Sequence, residues 1–190
     1  MKKLAVMFTL GMVSFGAMAV DGYKDAKFGM TEEEFLSKKL CDFEKFEGSP
    51  RIKEISLYSC SDFSFANKKR GAMAFFFNGK FKRLEIGIGE YLKPVFKSLE
   101  KKYGEPSSYP SQEEFGDAMK NGGVITIGYD NDTVSVDIHV MFGKESGQLA
   151  YTSSDVYAIP DFEKKIQELK EFQEFQEFLK LDHKKLDEDI

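Results

Sequence analysis

Ala72-Met73-Ala74-Phe75-Phe76-Phe77-Asn78-Gly79-Lys80-Phe81-Lys82-Arg83-Leu84-Glu85-Ile86-Gly87-Ile88 decides the fold. Two apolar-rich runs meet at Asn78-Gly79, the dipeptide that most readily takes the left-handed backbone angles of a type I′ turn. The stretch therefore predicts a β-hairpin with Phe77 opposite Lys80, Phe75 opposite Lys82 and Met73 opposite Leu84. That register puts Met73, Phe75, Phe77, Leu84, Ile86 and Ile88 on one face as the core. It leaves Phe76, Phe81, Arg83 and Glu85 on the other.

Upstream of the hairpin, Ile52–Cys60 reads as a further strand, with Ile55 and Leu57 on one face. Thr31 and Glu34 form a capping box that opens a helix, with Met30 and Phe35 placed as a hydrophobic staple. Phe35, Leu36 and Leu40 supply its apolar face, and the helix is expected to reach Cys41. Residues 20–28 read as a short entry segment, and residues 42–51 as a loop closed by Ser49-Pro50.

Downstream, Leu92, Val95, Phe96, Leu99 and Tyr103 recur at helical spacing over Glu90–Tyr103, closed by Gly104 and Pro106. Residues 105–123 read as a long polar loop. Strands return at Val124–Tyr129 and Thr133–Phe142 around an Asp130-Asn131-Asp132 turn, and a last one runs from Leu149 to Ser153. Each half thus shows a helix and then about three strands. The fold class is α+β: an antiparallel sheet with helices on one face, arranged as up to two tandem helix-plus-three-strand units.

The segment 161–190 differs in character. Phe162, Ile166, Leu169, Phe172, Phe175, Phe178 and Leu179 mark an amphipathic helix leading into a charged tail, with Glu-Phe-Gln repeated from Glu171. Phenylalanines three apart drift by about 60° per step around a helix, so the stripe is broader than one sheet contact needs. Phe172, Phe175 and Phe178 are therefore the candidate partner-binding residues, as anchors for a partner's groove or for self-association.

Two fragments carry a resemblance. Gly29-Met30-Thr31-Glu32-Glu33-Glu34-Phe35 resembles the G-M-T helix start of small envelope proteins. These include the small lipoprotein of the outer-membrane assembly machine and the tandem domains of β-lactamase-inhibitor proteins. Tyr103-Gly104-Glu105-Pro106 is similar to the L-G-x-P close of their helical part. The resemblance implies helices packed on an antiparallel sheet and a role in binding other proteins. The chain departs from the pattern in lacking a lipid-bearing cysteine and tryptophan, and its glycine-proline close falls in the second half. No functional residue carries across.

Location is read from the start of the chain. Met1-Lys2-Lys3 precedes an apolar run to Ala17, and Ala17-Met18-Ala19 offers the small residues that a signal peptidase needs. Residues 1–19 are the expected cleaved signal, leaving one domain over 20–160 and the C-terminal helix. The run is short of the roughly 20 residues a membrane span requires, so no stable membrane anchor is expected. The product is expected to be periplasmic or secreted. Loss of two lysines leaves 25 basic against 32 acidic residues in 171, a formal charge of −7. That excess argues against nucleic acid as a partner. The two cysteines, Cys41 and Cys60, are expected to pair as a disulfide in an oxidising compartment.

Candidate chemistry is sparse. Ser135, Asp137 and His139 share one face of a predicted strand, and a carboxylate beside an imidazole can orient a general base or help hold a metal. The plainer reading is the wet face of an antiparallel strand. Asp130, Asn131 and Asp132 lack the further ligands of a calcium loop and suit a turn better. Lys68-Lys69-Arg70 reads as a basic loop, and His183 as a solvated residue of the tail. No catalytic residue, metal site or cofactor is assigned.

The sequence thus favours an exported, non-catalytic binding or accessory protein of the cell envelope, acting through protein contacts. Its partner would be an envelope protein or, through the C-terminal helix, another copy. A periplasmic hydrolase or metal-dependent enzyme using Asp137 and His139 is one alternative, and a carrier of a small apolar ligand another.

Overall fold

Asn78 and Gly79 both adopt positive φ, 49° and 71°, so the hairpin turns where the dipeptide dictates. The computed structural model that shows this describes residues 19–48 and 52–189, with side chains at 175 and 178–189 outside that description. The expected signal at 1–19 lies almost wholly outside the described residues. So do the side chains of Phe175, Phe178, Leu179 and His183.

In chain order the elements are β1 (Gly22–Tyr23), β2 (Ala26–Lys27), α1 (Glu32–Leu36), β3 (Glu44–Phe46), β4 (Ile55–Phe65), β5 (Lys68–Phe77) and β6 (Lys80–Gly89). They continue with α2 (Leu92–Tyr103), α3 (Gln112–Asn121), β7 (Gly123–Tyr129), β8 (Val134–Met141), β9 (Lys144–Thr152) and, after a 3₁₀ turn at Ser154–Ala158, α4 (Phe162–Asp189). β1 and β2 form a small hairpin of their own. The other seven strands make one antiparallel sheet in the order β3-β4-β5-β6-β9-β8-β7. Two meanders, β4-β5-β6 and β7-β8-β9, thus join through β6 and β9. The architecture is α+β, an antiparallel sheet with helices and a long C-terminal helix.

The hairpin register departs from the simple reading after two residues. Phe77 faces Lys80 and Phe76 faces Phe81, but Phe75 then faces Arg83, because Lys82 is looped out in a β-bulge. A bulge inserts one residue in one strand and so exchanges its faces beyond that point. Ala72, Ala74 and Phe76 therefore join Phe81, Leu84, Ile86 and Ile88 in one core. Met73, Phe75 and Phe77 pack on the opposite face with Ile55 and Leu57. The expected grouping of Met73, Phe75 and Phe77 with Leu84, Ile86 and Ile88 is corrected by that one residue.

Both faces of the sheet consequently carry an apolar core, the second only toward β4 and β5. On the first, Phe35 of α1 packs on Phe76 and Phe81, and Val95 and Leu99 of α2 and Ala118 of α3 belong to the same core as Val134, Val136, Ile138, Val140 and Leu149. On the second, Phe162, Ile166 and Leu169 bring α4 down onto Leu57 and Phe75.

Several boundaries move for local reasons. α1 has the capping box at Thr31 and Glu34 but ends at Leu36, short of Cys41, and the chain turns through Lys39 at φ 49°. Part of the expected loop at 42–51 is β3. The expected loop at 105–123 contains α3, opened by a second capping box at Ser111 and Glu114. Lys68-Lys69-Arg70 begin β5, and Lys68 and Arg70 stack on the Tyr91 ring at 4.6 and 5.0 Å. Phe142, expected as the last residue of the strand Thr133–Phe142, falls in the turn after β8 and is 96% exposed.

Candidate functional site

α4 covers only part of its side of the sheet. Its apolar residues lie over the β4 and β5 end, where Phe46 of β3 also meets Phe172 with ring centres 6.2 Å apart. On the same face of β7, β8 and β9, Val124, Thr126 and His139 are exposed and Ser135 and Gln148 are half-buried. Between the two lies a cleft of about 580 Å³. Thr126, Ser135, Asp137, His139 and Gln148 form its floor, and Glu163, Gln167 and Lys170 of α4 form one wall. The alternation of β8 produces this division: Val134, Val136, Ile138 and Val140 turn to the core, so Ser135, Asp137 and His139 face the cleft.

At the seam between cleft and helix lies a chain of ion pairs. The guanidinium of Arg83 sets Nε 2.8 Å from Glu85 and Nη1 2.8 and 2.7 Å from the two oxygens of Glu163. Its Nη2 lies 3.5 Å from Asp137. Lys170 brings its ammonium 2.6 Å from the other oxygen of Glu85. The contacts to Glu85 are close but off-line as hydrogen bonds, so they act as ion pairs. Burial by itself would lower the Arg83 pKa, but Glu85, Glu163 and Asp137 outweigh it and hold the guanidinium charged. Buried charges survive only when paired in this way. Two of the partners, Glu163 and Lys170, belong to α4, so the same network fixes that helix beside the cleft.

A family model described as "Uncharacterised protein" matches residues 23–177. The chain belongs to that family. A relative described as "Uncharacterized protein" from Haemophilus influenzae (strain ATCC 51907 / DSM 11121 / KW20 / Rd) is 30% identical over 170 residues, 88% of this chain and 92% of the relative. No solved structure matches the chain. The span matched by the family runs from Tyr23 to Glu177. It therefore takes in the whole seven-stranded sheet, the cleft and the part of α4 that lies across it.

Asp137 and His139 are both at the cleft, yet they are not joined. Asp137 accepts a hydrogen bond from Thr126 Oγ1 at 2.8 Å and lies beside Arg83, whereas His139 is exposed. Among the described residues no hydrogen bond links the two. Cys41 and Cys60 form the expected disulfide, with Cα atoms 6.4 Å apart, which fastens the segment after α1 to β4. Of the phenylalanine anchors, Phe172 is half-buried against Phe46, and the side chains of Phe175 and Phe178 lie outside the described residues.

Asp130, Asn131 and Asp132 all take positive φ and form the β7–β8 turn. Their carboxylates are engaged: Asp132 accepts from the hydroxyls of Ser107 and Ser108 at 2.7 Å, and Asp130 accepts from Thr133 at 2.8 Å. An apolar groove between α2 and the sheet, lined by Phe65, Tyr91, Val95, Leu99 and Tyr151, encloses about 220 Å³. That is below the roughly 300 Å³ at which ligand sites usually begin. Among the described residues no helix is long and apolar enough to cross a membrane.

Sequence reasoning passed over Arg83, Glu85 and Lys170. A signal for the first two existed: charges alternating with Leu84 and Ile86 on a central strand must find partners if the second face is also covered. Nothing in the sequence pointed to Lys170 as the partner.

Proposed function

We propose that this chain is an exported, non-catalytic binding protein of the cell envelope that acts through protein contacts at the cleft beside α4. One observation carries the reading. Thr126, Ser135, His139 and Gln148 stay accessible on one sheet face beside α4, while that helix is fixed by buried ion pairs. A segment of a partner protein lying in the cleft finds hydrogen-bonding side chains in Thr126, Ser135 and Gln148, and a rigid wall in α4. The expected signal at residues 1–19 and the disulfide support a periplasmic or secreted location. The aromatic residues beyond Leu169, namely Phe172, Phe175 and Phe178, extend the same contact along the helix.

The test is a crosslinking pulldown from native envelope with the mature chain, a Ser135→Arg variant and a chain ending at Lys170. Ser135→Arg fills the floor with a large charged side chain without touching the core. A partner held by the mature chain and lost from a Ser135→Arg variant of unchanged melting temperature places the contact in the cleft. Recovery undiminished by that substitution removes the cleft from the reading. Loss on ending the chain at Lys170 assigns part of the contact to Phe172, Phe175 and Phe178, and equal recovery leaves them out. No specific partner for any version overturns the proposal.

A further inference from the structure

β7 is the last strand of the sheet, and its outer edge is open along half its length. The backbone directions follow from one contact. Gly128 donates to the Ser108 carbonyl at 3.1 Å and accepts from Ser107 N–H at 2.8 Å, so its polar groups point away from β8. Strand backbone groups alternate sides, so Val124 and Thr126 also point theirs outward, while Ile125 and Ile127 bond to β8. Among the described residues nothing takes up the outward groups of Val124 and Thr126.

Gly123–Tyr129 contains neither a charged residue nor proline, the usual devices that keep an exposed edge from pairing. The opposite edge is protected in the ordinary way, since β3 is three residues long and carries Glu44 and Lys45. Beside the open edge, α3 exposes Phe115 and Met119, one turn apart, at 48% and 42%. Tyr109, Pro110, Phe115 and Ile127 line an apolar groove of about 350 Å³ there.

We propose that β7 pairs antiparallel with β7 of a second copy of this chain, about a two-fold axis at Ile125. This goes beyond the cleft reading and does not depend on it. With Val124 opposite the partner's Thr126, both open residues of each copy use their N–H and C=O groups, and the pairing stops where Ser108 already occupies Gly128. A two-fold axis sets like residues near one another, which an uncharged strand tolerates and a charged one would not. The same axis carries α3 toward its copy on one face, so Phe115 and Met119 cover each other. A lone extended peptide would satisfy the strand but leave the helix stripe in water. A second copy covers both.

The test is the molar mass of the mature chain by sedimentation equilibrium, at concentrations up to about 100 μM so that weak contacts remain visible. Val124→Pro removes an N–H that makes no bond within the subunit, so the β7–β8 ladder is kept. Phe115→Glu acts on the helix side, at a position half exposed, and decides the question if Val124→Pro fails to fold, with its own melting temperature checked against the parent. The expected result is a dimer whose dissociation constant rises at least about tenfold in each variant. Val124→Thr, which keeps the N–H and the branched side chain, should remain dimeric, as should a chain ending at Lys170. A mature chain that stays monomeric throughout overturns the proposal. So does a dimer indifferent to both disruptive variants, or one lost with the tail.

Discussion

The ammonium of Lys170 on α4 lies 2.6 Å from the carboxylate of Glu85 on β6, a side chain with no exposure to solvent. Removing the lysine leaves a buried charge with only Arg83 to balance it, and Arg83 already serves Glu163 and Asp137. Breaking a buried pair is costly, whereas replacing both members with apolar groups is often near neutral. Lys170→Met should therefore destabilise the fold by about 2 kcal/mol, and Lys170→Met with Glu85→Met by less than either single change. Urea unfolding of the two single variants and the double variant reads the coupling directly. Simple additivity would show that the pair does not hold α4.

The disulfide offers a second handle on stability. Cys41 and Cys60 are 19 residues apart in sequence and tie the irregular segment after α1 to the sheet. Closing a loop of that size is worth about 3 kcal/mol in the chain-entropy account. Replacing both cysteines by alanine should lower the melting temperature in calorimetry, and adding a reductant to the native protein should reproduce the change. An unchanged melting temperature would mean that packing around Phe35 and Phe43 alone fixes the segment.

Features set by a few adjacent residues were legible in the sequence: the Asn78-Gly79 turn, the capping box at Thr31 and Glu34, and the alternation of β8. Features set by partners distant in the chain were not. The bulge at Lys82 brings Phe81 into one core with Leu84, Ile86 and Ile88, which strict alternation would place on the other face, and no local pattern states this. α3 was hidden for a different reason. Phe115, Ala118 and Met119 alone give it an apolar face, so its only strong signal was the box at Ser111 and Glu114. The cleft was half visible, since the wet face of β8 could be read, but its other wall depends on where α4 comes to rest.

The two covered faces of the sheet can be told apart by substitution. Phe75 and Phe76 are neighbours in sequence, both without exposure, and they fill cores on opposite faces of the sheet. Alanine at either position empties a large buried site and should cost about 4 kcal/mol. The two losses should differ in kind. Phe75→Ala loosens α4, seen as faster amide exchange near Leu169, whereas Phe76→Ala loosens α1. If one substitution is mild, its face is not a true core.

Glu32 gives the fold a dependence on acid. Burial pushes its carboxyl up, but hydrogen bonds from Tyr58 and Lys45, at 2.5 and 3.0 Å, outweigh this and hold it below the usual carboxylate range. A carboxyl depressed in the folded state stabilises above its unfolded pKa, about 4.3, and loses that contribution as pH falls through the lower folded value. Glu32→Gln should therefore cost about 1 kcal/mol at neutral pH, with the gap to the parent closing below about pH 4. Denaturant titrations at pH 7 and pH 3 check this. A gap that persists undiminished in acid would assign the loss to packing rather than to charge.

Val20, where the mature chain is expected to begin, donates its backbone nitrogen to Asp130 Oδ2 at 2.7 Å. In a chain that starts there, this nitrogen is an ammonium, and the contact becomes a charge-assisted bond between the terminus and the β7–β8 turn. Such bonds are roughly twice as strong as neutral ones. Protein prepared from Val20 should then exceed the stability of protein carrying one additional leading glycine by about 1 kcal/mol. Asp130→Asn should erase most of that difference, because an amide oxygen carries no full charge for the ammonium to meet. Equal stability of the two starting points, with Asp130 intact, would show that the turn gains nothing from a freed terminus. A clear difference would mean that a free amino group at Val20 strengthens the bond to Asp130 and with it the β7–β8 turn.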